Sequence, residues 1–543
     1  MSAILFFFML QSDLGATTYD KYCAQCHGEQ GDGQGIATEF VMPRPRNFTT
    51  GVFKFRSTQS GQLPLESDLE KVVREGIRGT SMPSFAQLGE SEIKAVVAHI
   101  QGYYQAVIDR DKEEGFYPPK VAEMGNPPKV TDALITHGRE VYLQSGCGDC
   151  HGYEGRADGP SSLTLKDDYD ESILPANLNR GWEFRAGHEL TDIFRAFTTG
   201  LSGTPMASFA DAIPADDRWA LASYVQSLSV GEEPTASAQV SASIVDQLPE
   251  SMDDPLWDSA PEAYFPLTGQ MMWAPVNHQP GVRSVTVKAL HDQSSVALLV
   301  SWDDPSFSVA GAEAPGGADE EDDWGFETEE EDDFGDFFDE EPAAQVDADQ
   351  FAIQFPSGFP APNERPYIVM GDGSNPVNLW RWVQDGSLAS QQAPAEAQSG
   401  HANLWTEYKG NVSLSSELAK GRNQISALSD GTPLKGSVHY LNGRYHLMVT
   451  RTLLTDSEDE VQLEVGKFLP ILFWAWDGHR NEKEAMGNLS AWFFLRLEQP
   501  VDRSVYVKTA GAAFLTAILL LWAIRAARDS SRQEPSEVVE SAT

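Results

Sequence analysis

The chain has 543 residues, is 41% hydrophobic and 22% charged, and is therefore globular but too long for a single core. Its formal net charge of −42 excludes nucleic acid as a partner, because phosphate binding needs a basic face. The charge suits a partner with a basic docking surface, or a saline setting.

Residues 1–16 are a candidate signal segment. Ala3–Leu10 is a short apolar run and Gly15-Ala16 could lie near a cleavage site, but no basic n-region precedes it. Two stretches then repeat one another, 17–108 and 131–230, joined by a polar, proline-rich linker over 109–130. All four cysteines fall in them, as Cys23-Ala-Gln-Cys26-His27 and Cys147-Gly-Asp-Cys150-His151. A C-x-x-C-H run reads as a c-type haem attachment site: two thiols add to the haem vinyls and the adjacent histidine is placed to ligate iron. Zinc knuckles would need paired half-sites, and these runs lie too far apart. The expectation is two covalent haems, held through Cys23, Cys26, Cys147 and Cys150. Such attachment happens outside the bacterial cytoplasm, so these stretches are expected to be exported.

Each repeat continues with a glycine-rich loop (Gly31–Gly35, Gly155–Gly159) and a Pro-x-Asn turn (Pro45–Phe48, Pro175–Leu178). Then come the matching loops Gly-Thr-Ser-Met82-Pro-Ser-Phe and Gly-Thr-Pro-Met206-Ala-Ser-Phe. Amphipathic helices, Glu90–Ile100 and Asp216–Val225, end the repeats. These features resemble class I cytochrome c domains. The resemblance implies small all-α folds and nominates Met82 and Met206 as axial ligands opposite His27 and His151. A thioether opposite histidine raises the potential and suits electron transfer. Met42 is the competitor for the first iron.

A second linker is expected over 231–250. From Trp257 to Glu498 the pattern turns to period 2, with strands at Val285–Leu290, Val296–Trp302, Phe351–Phe355, Val461–Val465, Phe468–Trp476 and Ala491–Leu497. Asn442-Gly443 marks a hairpin. The expected fold of 251–500 is an all-β sandwich. Asp254–Pro261, Gln350–Pro356, Met370–Trp382 and Phe473–Gly478 leading to Ser490–Trp492 resemble the haem-b-binding γ subunits of ethylbenzene dehydrogenase, dimethylsulfide dehydrogenase and selenate reductase. That resemblance implies one non-covalent haem b held by a methionine and a lysine. Met370 matches the methionine; the second ligand is Lys483, or alternatively Met486, or absent. It also implies iron–sulfur and molybdopterin subunits of an oxidoreductase complex as partners, with a soluble or membrane cytochrome as the other redox partner.

Residues 310–346 form an acidic insert interleaved with Trp324, Phe326, Phe334, Phe337 and Phe338. Its composition favours a solvated loop over a docking arm. Residues 505–526 are apolar enough to span a membrane, and Arg525, Arg528 and Arg532 follow. The positive-inside rule puts the 527–543 tail in the cytoplasm and the bulk of the chain outside, as a single-pass protein of the cell membrane. The resulting fold class is multidomain: two small all-α domains, an all-β sandwich and one C-terminal transmembrane helix. The expected role is a multihaem electron carrier. The alternatives are a dihaem peroxidase-like enzyme, which needs one open iron, and a redox-sensing binding module.

Overall fold

The computed structural model describes residues 14–159, 161–162, 164–229, 232–311, 346–358, 365–392, 406–428, 431–441, 443–500 and 503–531. Most of the candidate signal segment, nearly all of the acidic insert, Asn442 and the end of the tail lie outside the described residues.

The N-terminal region is helical. In the first repeat, helix α1 (14–22) leads into α2 (Ala24–His27), followed by α3 (Glu66–Glu75), α4 (Glu90–Tyr103) and α5 (Gln105–Glu114). The second has α6 (Asp132–Gln144), α7 (Cys147–His151), α8 (Leu190–Thr199) and α9 (Ala215–Leu228). In both, the first helix crosses a later one at a glycine, α1 over α4 and α6 over α9. A Cβ on Gly15 would lie 2.4 Å from the Ala95 carbonyl oxygen, and one on Gly138 2.0 Å from that of Ala220. Gly15 and Ala16 are thus part of the folded domain, which begins upstream of the expected boundary; cleavage there would remove the crossing residue. Helix α9 is buried from Arg218 to Val225, so it is not one-sided as its sequence suggests. It lies between α6 and α8, and Trp219 stacks on Phe194 at 3.9 Å.

Both expected linkers carry ordered structure. Helix α5 runs into the first and buries Ile108 and Asp111. Beyond it Thr58 bridges Val121, the Ala122 amide donates to the Ser57 carbonyl, and Met124 packs on the second domain's core. In the second, Gln239–Ile244 forms strand β1, whose small alternating residues give little hydrophobic signal.

The body is mostly sheet. After β1 come β2 (Ala263–Pro266), β3 (Thr268–Gly269), β4 (Ser284–His291), β5 (Ser295–Asp303), β6 (Gln350–Pro356), β7 (Val377–Val383), β8 (Ala389–Gln392) and β9 (Thr406–Ser413). They are followed by β10 (Ser415–Ala419), β11 (Ile425–Ala427), β12 (Lys435–Leu441), β13 (Arg444–Thr452), β14 (Phe468–Trp476), β15 (Asn488–Leu489) and β16 (Phe493–Leu497). The order is β11-β10-β7-β6-β14-β16-β1-β4-β5-β13-β12-β9-β8. Strand β14 pairs with β16 through Phe468–Ile471 and with β6 through Leu472–Trp476, so one strand turns the corner between two layers. Strand β1 is parallel to both neighbours, β16 and β4. The hairpin registers as expected, with Leu441 opposite Arg444. Val461–Val465 does not form a strand: only Val461 bridges, to Gly358, although Val461 and Leu463 are buried. Their burial explains the apolar alternation without a ladder.

Side chains alternate across the smaller layer. Phe351, Ile353, Trp380, Phe473 and Ala475 face the main core, while Ala352, Leu379, Leu472, Trp474 and Trp476 make a second apolar face. Helix α10 (Arg503–Ser531) ends the described chain. Its apolar segment Tyr506–Ser530 has no buried residues.

Candidate functional site

Two cavities lie at the Cys-x-x-Cys-His runs. The first, about 190 Å³, is lined by Cys23, Cys26, His27 and Met82; Phe48 and Ile100 close it. The second, about 420 Å³, is lined by Cys147, Cys150, His151 and Met206, with Phe197 and Val225. The structure therefore brings each predicted methionine to its own histidine's cavity. Val41 and Pro43 line the first cavity but Met42 is not among its lining residues.

Both histidines are oriented the same way. His27 Nδ1 donates to the Arg46 carbonyl at 3.0 Å, and His151 Nδ1 to the Ala176 carbonyl at 2.8 Å. These bonds leave each Nε2 as the lone-pair nitrogen, as an iron ligand requires. Burial holds both imidazoles below the ordinary histidine range, hence neutral. Tyr19 and Tyr142 brace the runs by donating to the carbonyls of Gly28 and Gly152, at 2.8 and 2.6 Å.

The methionine loops are built alike. Helix α3 ends at Gly76, with φ +70°, and a Cβ there would meet the Pro83 backbone at 2.6 Å; after α8, Gly200, with φ +69°, lies as close to Ser208. The Met82 amide donates to Thr80 Oγ1 at 3.1 Å, and Thr80 Oγ1 donates to the Ile77 carbonyl. Met206, Thr204 and Leu201 repeat this pattern, with the amide bond at 3.2 Å. Sequence reasoning saw these threonines but gave them no role; their equal offset from each methionine was the available signal.

The two cavities share a wall. Pro43, Lys54, Phe55 and Arg185 line both. Burial, aided by Arg46, brings Lys54 down to about 8, and burial also lowers Arg185, so both cations face a setting that favours a negative partner. The carboxylates of a bound haem have that chemistry. No local motif marks these residues, because each is donated by the other repeat. The repeats are clamped by Arg46–Asp168 at 2.7 Å, by Arg44–Glu171 at 2.5 Å and by Arg56 Nη2 on the Thr199 carbonyl at 2.6 Å. Arg46 thus holds His27 through its carbonyl and the second domain through its guanidinium. The second cavity is also bounded by the sandwich, through residues including Arg283, Asp477 and Arg480, and Arg283 pairs with Glu183 at 2.8 Å.

The predicted sandwich site is brought together only in part. Met370 is 3% exposed, sits at φ +57° and packs on the second apolar face with Trp474 and Trp476. Lys483 does not join it: it is exposed and its ammonium pairs with Asp347 at 3.2 Å. The structure thus departs from the lysine expectation: the Lys483 ammonium is turned outward to the partly exposed Asp347. Met486 is half-buried, and the adjoining Gly487 lies against Trp476, on the same face as Met370. Met370 thus offers a thioether on an apolar face, while the Lys483 ammonium is held by Asp347.

Comparison with known proteins agrees with this division. The family model described as cytochrome c oxidase, cbb3-type, subunit III matches residues 11–100, and cytochrome c matches 135–229. Ethylbenzene dehydrogenase matches 254–485. A Haloferax mediterranei protein described as a respiratory nitrate reductase heme subunit is 20% identical over 295 residues, 54% of this chain and 85% of the relative. A solved chain of the Kuenenia stuttgartiensis reducing HAO-like protein complex is 38% identical, covering 40% of this chain and 96% of its own, with a TM-score of 0.37. A family 9 carbohydrate-binding module of Caldicellulosiruptor kristjanssonii in complex with glucose is 8% identical, covering 49% of this chain and 97% of its own, with a TM-score of 0.24. Domain by domain, residues 11–100 and 135–229 match c-type cytochromes and residues 254–485 match the ethylbenzene dehydrogenase model, matches that imply covalent haem c and haem b in a multihaem electron-transfer subunit.

Proposed function

We propose that this chain is the membrane-anchored cytochrome subunit of an extracytoplasmic molybdenum oxidoreductase, passing electrons between a haem b in the sandwich and two c haems. The single observation that carries this is the shared wall of the two His/Met-lined cavities, with the sandwich closing the second. An electron carrier would need no substrate pocket, only short gaps between its haems. Haem supplies one-electron chemistry when bound. The protein's part is to hold it: Cys23 and Cys26, and Cys147 and Cys150, by thioether bonds; His27 with Met82, and His151 with Met206, at the irons. Met370 is the first ligand of the sandwich haem, and Met486 the better-placed candidate for its second.

A methionine at both c cavities argues against a peroxidase, which needs an open iron. The Haloferax relative's description supports a respiratory reductase as the partner. Iron–sulfur and molybdopterin subunits follow from the resemblance to the dehydrogenase γ subunits. Helix α10 supports the anchor: 25 exposed residues in its apolar segment reach ~37 Å at 1.5 Å per residue, enough for a ~30 Å hydrocarbon core. Arg525 and Arg528 then place the C-terminus in the cytoplasm.

The test is to purify the complex from membranes and titrate it redox-spectroscopically. Two acid-stable low-spin c haems, one extractable b haem and co-purifying molybdopterin are expected. A high-spin ferric c haem with peroxide turnover would instead establish the peroxidase reading. A cytoplasm-only fluorescent reporter fused after Thr543 should light up; a dark fusion would reverse the topology.

A further inference from the structure

Strand β5 ends at Asp303 and Asp304 follows it; Asp349 precedes β6; Asp477 follows β14. The three carboxylates meet at one rim of the sandwich, with ligand oxygens all within 4.8 Å of one another, and none is more than 2% exposed. Among the described residues, this is the one such grouping. Two neighbouring cations pair elsewhere, Arg444 with Asp303 and Lys483 with Asp347. The three aspartates instead receive neutral donors. The Ser306 amide and hydroxyl go to Asp304 Oδ1; the Ser308 amide and Tyr445 hydroxyl go to Asp349 Oδ2, both at 2.6 Å; the Gly478 amide goes to Asp349 Oδ1 at 2.8 Å. The Ser306 hydroxyl also lies 3.2 Å from Asp477 Oδ1.

One atom is left over. Asp304 is fully buried, and its Oδ2 has no hydrogen-bond partner. A buried, unpaired carboxylate oxygen facing two further carboxylates is costly unless a cation compensates it. We propose that Asp304, Asp349 and Asp477 bind one divalent cation, with Ca²⁺ the favoured ion, tying together the strand ends on either side of residues 312–345. The donor set is oxygen only, which selects hard cations over zinc or copper. Ligand oxygens all within 4.8 Å of one another are close enough for one ion to touch all three, and a buried set of three protein carboxylates suits Ca²⁺ better than Mg²⁺, which keeps several waters. Glu482 positions the set from behind: it is 2% exposed and accepts the Asp477 amide at 2.9 Å and Asn488 Nδ2 at 2.6 Å. Asp477 also lines the second c cavity, so the ion would brace the sandwich against that cavity. The inference does not depend on the proposed partner enzyme.

The experiment uses the full chain with its haems. Metal analysis of protein purified without chelator should find one Ca²⁺ per chain. After dialysis against EGTA, CaCl₂ alone should restore one bound ion by calorimetry and raise the sandwich's unfolding temperature with increasing Ca²⁺, MgCl₂ doing so more weakly. D304N and D349N should each weaken Ca²⁺ binding on the order of 100-fold while leaving the haem spectrum intact. The control D303N, at an exposed neighbour, should bind normally. Folded wild-type protein that takes up no Ca²⁺, Mg²⁺ or Mn²⁺ overturns the proposal, as does D304N binding Ca²⁺ as tightly as wild type. Should D304N not fold, the wild-type titration still decides.

Discussion

The two c cavities start from the same residues and end in different places. The first is closed almost wholly by its own repeat, with Arg185 the one visitor. The second takes Pro43, Lys54 and Phe55 from the first repeat and a whole side from the sandwich. Identical local chemistry has been set into a terminal position and a central one. The difference teaches that the second cavity is the junction, lined by both the first repeat and the sandwich; under the proposed function, electrons passing between those two would cross it.

The largest test of that comparison removes one histidine at a time. His151→Ala should abolish low-spin iron at the second centre and stop electron exchange between the sandwich and the first repeat in stopped-flow absorbance. His27→Ala should leave exchange between sandwich and second centre intact. Equal behaviour of the two variants would erase the distinction.

Replacing the thioethers is gentler. Met82→Ala and Met206→Ala should each lose the sulfur–iron charge-transfer band of one haem and lower its potential, by a sizeable part of the ~0.8 V that axial ligands span. Potentiometry with the visible spectrum would show which haem moved. An unchanged Met82→Ala spectrum would return the role to another residue, Met42 first.

The helix crossings rank next. Gly138→Ala drives a Cβ to 2.0 Å from a backbone oxygen, and Gly15→Ala to 2.4 Å. Each should destabilise its own repeat by about 1–3 kcal/mol, the second repeat more. Denaturant melts followed at each haem would separate them, and a neutral Gly138→Ala would show that the crossing can relax.

A pH-dependent effect isolates the sandwich from both repeats. Burial, with Arg444 and His439 nearby, lowers His446 from 6.5 to about 4, while Ser301 Oγ lies 2.7 Å from its Nδ1. Between those values the unfolded chain binds the proton that the fold refuses. Stability is therefore full above pH 6.5 and falls as pH drops towards 4, by up to about 3 kcal/mol. His446→Gln should flatten that slope in sandwich melts and leave the repeats' pH profiles alone; an unaltered slope would assign the proton elsewhere.

Much of the site was legible because its chemistry is local. Cysteine, cysteine and histidine must be adjacent to grip one porphyrin edge, so five residues suffice to announce it. The Gly-Thr-x-Met loops were readable as a pair, since Thr80 and Thr204 act on amides two residues away. Lys483 misled because a family's ligand position is a matter of where a turn points, and here the turn points to Asp347.

By itself the sequence determined the order of two helical repeats, a sheet body and an apolar C-terminal helix, because periodicity and covalent motifs act within a few residues. Only the tertiary structure decided that Gln239–Ile244 is an inner strand and that Lys54 and Arg185 wall both cavities. It alone brought Asp304, Asp349 and Asp477 to one rim. Those juxtapositions join residues tens to hundreds of positions apart, and they exist only once strands have paired and domains have docked. No local propensity encodes them.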